Sequence, residues 1–256
     1  MNDDPAAAGA ANHAPDDVSA APSLDTAAAR ARFLAGRLRA ASGDNLTPRR
    51  ATLRDLADAT RLLINRLVAT DAPDDVIVAA TTEVQAAADR FAHYHQGSLY
   101  GFGESANAGG YDMPMYDHSP LIGLANPLAP PMELREEDGV IIGAVRFGAA
   151  YEGPPGCVHG GYVAAVFDEL LGSTQSLSGA PGMTGTLSIR YETPTPLNED
   201  LRLEGRLVGV ERRKIFTEGL IYAGDRLTAR AEGIFISLHP GKFVSMLDER
   251  KARQPD

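Results

Sequence analysis

Apolar and polar positions alternate with three different rhythms along this chain. Residues 1–22 are mostly Ala, Asp and Pro with almost nothing large to bury, the composition of a disordered tail. Residues 26–41, TAAARARFLAGRLRAA, favour a helix, with Gly43 as its stop. A stronger helix opens at Thr52, where Leu53, Leu56, Thr60, Leu63 and Leu67 recur at intervals of three and four. Asp71 and Pro73 signal another start, and Ile77, Ala80, Val84, Ala87, Phe91 and Tyr94 keep the helical spacing up to Gly97. The pattern predicts an antiparallel helix hairpin. Its apolar stripes are expected to be core, packed on each other or on another element.

Residues 98–115 carry many Gly and few periodic apolar positions and read as a linker. Beyond them the rhythm is that of strands. MELREE and VIIGAVRFG flank Asp138-Gly139, a hairpin signal. TGTLSIRYE, DLRLEGRLVGVE, KIFTEGLIY and RLTARAEGIFISL read as four more strands, with a tight turn at Ala223-Gly224-Asp225. Short turns between strands imply an antiparallel sheet. A single strong helix interrupts the series. The expected class is α+β, with residues 1–22 a tail, 23–97 a helical extension, 98–115 a linker and 116–245 the sheet domain.

The interrupting helix follows a crowded loop, GPPGCVHGGYVAAVFDELLG at 153–172. Pro154-Pro155 bars helix in the loop, so the helix should start near His159-Gly160-Gly161 and stop near Gly179. Apolar groups go nearly all the way round it, which predicts a central position. One stripe differs: Gly161, Ala164, Ala165, Asp168 and Gly172 are small, with a carboxylate among them.

Free N–H groups at a helix start form a positive pole, and glycine there leaves room for a ligand to reach them. Such donors suit a carbonyl oxygen that becomes negative. A carboxylate two turns on suits a general base or nucleophile. Gly160 and Asp168 are separated by roughly 12 Å of helix axis, too far for one carbonyl group to touch both. Two copies of the helix, antiparallel about a two-fold axis, would bring Gly160 of one to Asp168 of the other.

Totals narrow the function further. A formal net charge of -10 argues against a general nucleic-acid binder. The only cysteine is Cys157, so neither a disulfide framework nor a thiolate metal cage is expected, and a reducing cytoplasm fits. No apolar run approaches the roughly 20 residues of a membrane span. The opening residues lack the basic and apolar regions of a secretory signal.

The segments YEGPPGCVHGGYVAAVFDELLG at 151–172 and MTGTLSIRYETPTPL at 183–197 resemble the hotdog-fold acyl-CoA thioesterases, most closely the PaaI-like branch. The likeness covers roughly residues 116–240 and implies an antiparallel sheet wrapped round a central helix, with residues 23–97 an extension outside it. It implies hydrolysis of acyl-CoA thioesters, with Asp168 as general base or nucleophile, the Gly160 N–H as oxyanion donor and Thr184 positioning the water. His159 and Gly161 complete the helix start, His159 holding the loop. Some relatives have an amide side chain six residues before the histidine; this chain has Gly153.

Coenzyme A in such proteins binds through basic side chains, for which Arg190, Arg212, Arg213 and Lys214 are the candidates. The resemblance further implies a homodimer or dimer of dimers and no metal or redox cofactor. Rival assignments are Glu169 as the acid and a Cys157–His159 nucleophile. His93 and His95 close a helix, where a cation is favourable. The alternative function is a hotdog protein that binds acyl-CoA without hydrolysing it.

Overall fold

The structure, a computed structural model, describes residues 47–94, 115–180 and 182–237. The expected tail, the helix over 26–41, nearly all of the linker, and His95 lie outside the described residues.

Helix α1 spans Pro48–Val68 and starts four residues before the predicted Thr52. Thr47 explains the earlier start: its side chain caps the Arg50 N–H, and Pro48 takes the first helical position. Helix α2 spans Asp74–Asp89, follows Pro73 and carries Asp74 and Asp75 in its first turn. A 3-10 turn at Ala92–Tyr94 holds His93.

The apolar stripes of these helices are not core. Leu56, Leu63 and Leu67 of α1, Ile77 and Val84 of α2, and Phe91 and Tyr94 just beyond it are exposed. The docking face of α1 is the other one, with Arg50, Arg54, Ala57, Arg61 and Asn65 at helical spacing. Arg50 and Arg54 both grip the buried carboxylate of Asp117, Ala57 is buried, and Arg61 donates to the Leu124 and Asn126 carbonyls. Two arginines on one carboxylate, with the Arg61 guanidinium on two carbonyls nearby, hold this face where apolar packing was expected.

Six antiparallel strands form one sheet: β1 (Glu133–Glu137), β2 (Val140–Arg146), β3 (Gly182–Tyr191), β4 (Asp200–Glu211), β5 (Lys214–Ala223) and β6 (Arg226–Ser237). Their order is β1-β2-β4-β5-β6-β3. Asp138 and Gly139 both take positive φ, the two-residue turn that their identity favours.

Helix α3, Gly160–Thr174, packs against the sheet. Val163, Val166, Phe167, Leu170 and Leu171 are buried and join Ile141, Leu203, Ile215, Ile221 and Phe235 in one core. Close approach is built in. Gly205, Gly219 and Ala231 share one row across β4, β5 and β6, and a Cβ on Gly219 would stand 3.0 Å from Leu171. The α3 helix passes into a 3-10 turn at Gln175–Ser178, and Gly179, at φ 78°, ends it.

Candidate functional site

The loop before α3 is closed by its own backbone. Gly153 N–H donates to the Cys157 carbonyl and Cys157 N–H to the Pro154 carbonyl. Cys157 is thus a half-buried residue of this closed loop. A Cβ at Gly153 would stand 2.7 Å from the His159 Cα, so this position holds no side chain of any kind. The amide that some relatives offer here is sterically barred in this loop.

His159 is the N-cap of α3. Its Nδ1 accepts from the Gly161 N–H at 3.0 Å, while its own N–H donates to the Tyr151 carbonyl at 2.9 Å. Behind it, Tyr151 packs edge-on against Tyr162 and Phe147. The Tyr151 hydroxyl donates to the Leu128 carbonyl. Burial pushes the phenol up to about 12, with the neighbouring Tyr162 adding to the shift.

The first turn of α3 therefore distributes its donors unevenly. Tyr162 and Val163 N–H both donate to the His159 carbonyl, and Gly161 N–H is taken by the His159 ring. Gly161, expected as part of the helix start, gives its N–H to the His159 ring. The Gly160 N–H has no such partner among the described residues. It is the donor left open at the positive pole.

Two turns on, Asp168 is exposed. The Thr184 hydroxyl donates to its Oδ1 at 2.8 Å. Thr184 sits at an irregularity in β3, where the register to β6 shifts between Thr184 and Thr186. Glu169, one residue further along, is half-buried and faces Ser119. Ala164, Ala165 and Gly172 line the same side of α3 as Asp168, and the adjoining β3 exposes Met183, Thr184 and Thr186. Near the helix start, the Tyr191 hydroxyl donates to the Gly160 carbonyl at 3.0 Å. Sequence reading passed over Tyr191, since it sits 31 positions from its partner and no local signal marks it.

The basic candidates divide. Arg213 directs its guanidinium at the Ser237 carbonyl, with nitrogens at 3.2 and 3.1 Å, and its own carbonyl accepts from the Ser237 N–H. It fastens the end of β6. Arg190 pairs with Glu192, which also holds Arg230. Arg190 and Arg213 thus have partners within the chain, and both remain exposed. Arg212, in the β4–β5 turn at φ 53°, and Lys214 are exposed. In register, Lys214 aligns with Ile236 and Ile236 with Met183, so this turn lies at the Thr184 end of the sheet, about 10 Å across two strand spacings. Among the described residues no group of three or more His, Cys, Asp or Glu could hold a metal, and no helix is long and apolar enough to cross a membrane.

Comparison with known proteins agrees with this fold. The Thioesterase superfamily model matches residues 155–230. The acyl-coenzyme A thioesterase THEM4 of Mus musculus is 36% identical over 97 residues, which cover 37% of this chain and 42% of that protein. The human acyl-coenzyme A thioesterase THEM5 is 32% identical over 93 residues, covering 36% of this chain and 38% of its own length. The match thus spans about two-fifths of these curated relatives. A crystallised thioesterase superfamily protein is similar at 34% identity and a TM-score of 0.65, covering 72% of this chain and 90% of the other. Residues 116–245 alone cannot fill that share, so the likeness reaches into the helical extension. On this fold and these matches, the chain belongs to the thioesterase superfamily, as a hotdog-fold member.

Proposed function

We propose that this protein hydrolyses acyl-CoA thioesters to a free acid and coenzyme A. The observation that carries the reading is the Asp168 carboxylate, solvent-facing on a largely buried helix and fixed by the Thr184 hydroxyl at 2.8 Å. The names of the curated relatives support the substrate class.

In this reading Asp168 takes a proton from water as the water oxygen bonds to the thioester carbonyl carbon. The carbonyl electron pair moves onto oxygen, where the Gly160 N–H and the helix pole receive the charge. Collapse breaks the C–S bond, and the carboxyl proton returns to the departing thiolate. Thr184 gives its one proton to Asp168 and keeps lone pairs for the attacking water.

Roughly 12 Å of helix axis separates Gly160 from Asp168, so the reacting carbonyl is shared between two copies, each giving one group. The unpaired outer edge of β3, a strand of 10 residues, and the small-residue stripe beside it suit such a two-fold contact. Arg190, Arg212, Arg213 and Lys214 are the candidate cations for the coenzyme A phosphates.

The barred side-chain position at Gly153 favours one rival, an acyl-CoA binder without turnover, because it removes a second carbonyl donor. Free thiol release from acyl-CoAs between acetyl and palmitoyl, and one aryl-CoA, separates the two. Hydrolysis predicts release that Asp168→Asn lowers by at least about a hundredfold, with binding and fold retained. Binding without release by the unaltered protein overturns the hydrolase reading in favour of the binder.

A further inference from the structure

Tyr191 ends β3 with its ring over the first turn of α3. A Cβ on Gly160 would meet the ring's Oη at 3.5 Å and its Cε1 and Cζ at 3.6 Å. The Tyr191 hydroxyl donates to the Gly160 carbonyl at 3.0 Å, yet the residue is 54% exposed, so burial does not hold the side chain there. Nor does the bond rescue an orphan acceptor. In an α-helix the Gly160 carbonyl already serves the N–H four residues on, and Tyr191 occupies its second lone pair.

The bond grips one peptide unit from both sides. The oxygen of the Gly160–Gly161 peptide is held by Tyr191, and its N–H by the His159 Nδ1. The preceding peptide is held by its oxygen, the His159 carbonyl, which accepts from Tyr162 and Val163. Gly160 lies between these two planes and has the widest backbone freedom of any residue type. With both planes fixed, its open N–H points one way. Hydrogen bonds linked in such a chain reinforce one another. An oxyanion donor works through this kind of preorganisation, since its dipole need not turn as charge develops.

Resting on the hydrolase reading above, we propose that Tyr191 is a positioning residue whose hydroxyl holds the Gly160–Gly161 peptide so that the Gly160 N–H is aimed at the thioester oxyanion. It touches neither water nor the leaving thiol. Its contribution appears in the transition state rather than in the binding of the thioester.

Tyr191→Phe keeps the ring and deletes the hydroxyl. The expected result is a kcat lower by about three- to tenfold, the range of one neutral hydrogen bond. KM, affinity for a non-hydrolysable acyl-CoA thioether and the thermal midpoint stay essentially unchanged. In protein labelled with nitrogen-15 glycine, the Gly160 and Gly161 amide signals shift or broaden, which a ring acting only as packing would not cause. An unchanged kcat in the variant, while the unaltered enzyme turns over, overturns the proposal and leaves the hydrolase reading standing. A raised KM at constant kcat also overturns it, by making Tyr191 a substrate contact. No thiol release from the unaltered protein overturns the hydrolase reading itself.

Discussion

Thr184 and Asp168 meet at 2.8 Å although 16 positions separate them, one on the edge strand and the other on the central helix. The strand irregularity beside Thr184 helps bring this about, because the register shift re-aims the residues around it. A hydroxyl that gives its only proton to a carboxylate is fixed in orientation, and its lone pairs then face any water that approaches the same carboxylate.

Thr184→Val keeps the β-branched shape that suits a strand and removes the hydroxyl. A hydrogen bond to a charged group contributes about 1.5–3 kcal/mol, so kcat should fall by roughly ten- to a hundredfold. Thr184→Ser should retain most of the activity. Because Thr184 is exposed, thermal midpoints of both variants should stay near that of the unaltered protein. Steady-state kinetics with melting curves check this; a Val variant as active as the Ser variant would remove Thr184 from the mechanism.

Two glycines near the helix start should respond in opposite ways. The nearest atoms to a Cβ at Gly160 are those of Tyr191, at ordinary contact distance, and the backbone is helical, so the protomer tolerates Gly160→Ala. Its stability should hold or rise by up to about 1 kcal/mol. Turnover should drop by about a hundredfold, because the methyl occupies the ground a thioester oxygen must reach. At Gly153 the methyl would press on the His159 backbone. Gly153→Ala should cost about 1–3 kcal/mol, and Gly153→Asn at least as much without supplying a working donor. Thermal melts paired with thiol-release rates separate these outcomes.

The sheet domain was legible because period and turn chemistry agree there. Asp138-Gly139 and the stretches around Lys214 and Arg226 carry strand alternation with turn residues between, and the β1–β2, β4–β5 and β5–β6 pairings they make are local, whereas β2–β4 and β3–β6 join distant strands that no turn marks. The HGG helix start was legible for a similar reason, since capping and glycine act within one turn. The docking of α1 was not. Leu56, Leu63 and Leu67 give the strongest periodic signal there, but α1 is held by Arg50 and Arg54 on Asp117, contacts that span 67 and 63 positions. Periodicity scores burial by apolarity and cannot anticipate a face held by charge-assisted hydrogen bonds. The contact of Arg213 with the Ser237 carbonyl was illegible for the same reason, since no local pattern reveals it.

Asp117 makes the docking of α1 testable. Its side chain is 3% exposed and takes Arg50 Nε at 2.6 Å on one oxygen and Arg54 Nε and Nη2 at 3.0 and 2.6 Å on the other. Asp117→Asn removes the charge and leaves two guanidiniums facing a neutral amide. Breaking a fully buried pair costs about 3–5 kcal/mol, and these arginines are partly exposed, so roughly 2–3 kcal/mol is expected. The loss should fall on the extension, because the core around Phe167, Leu170 and Ile215 contains no member of this cluster. Limited proteolysis should then cut within residues 47–94 faster than in the unaltered protein, while the β3–β6 region stays protected. Equal cutting rates would mean that Arg61, through the Leu124 and Asn126 carbonyls, holds α1 without the carboxylate.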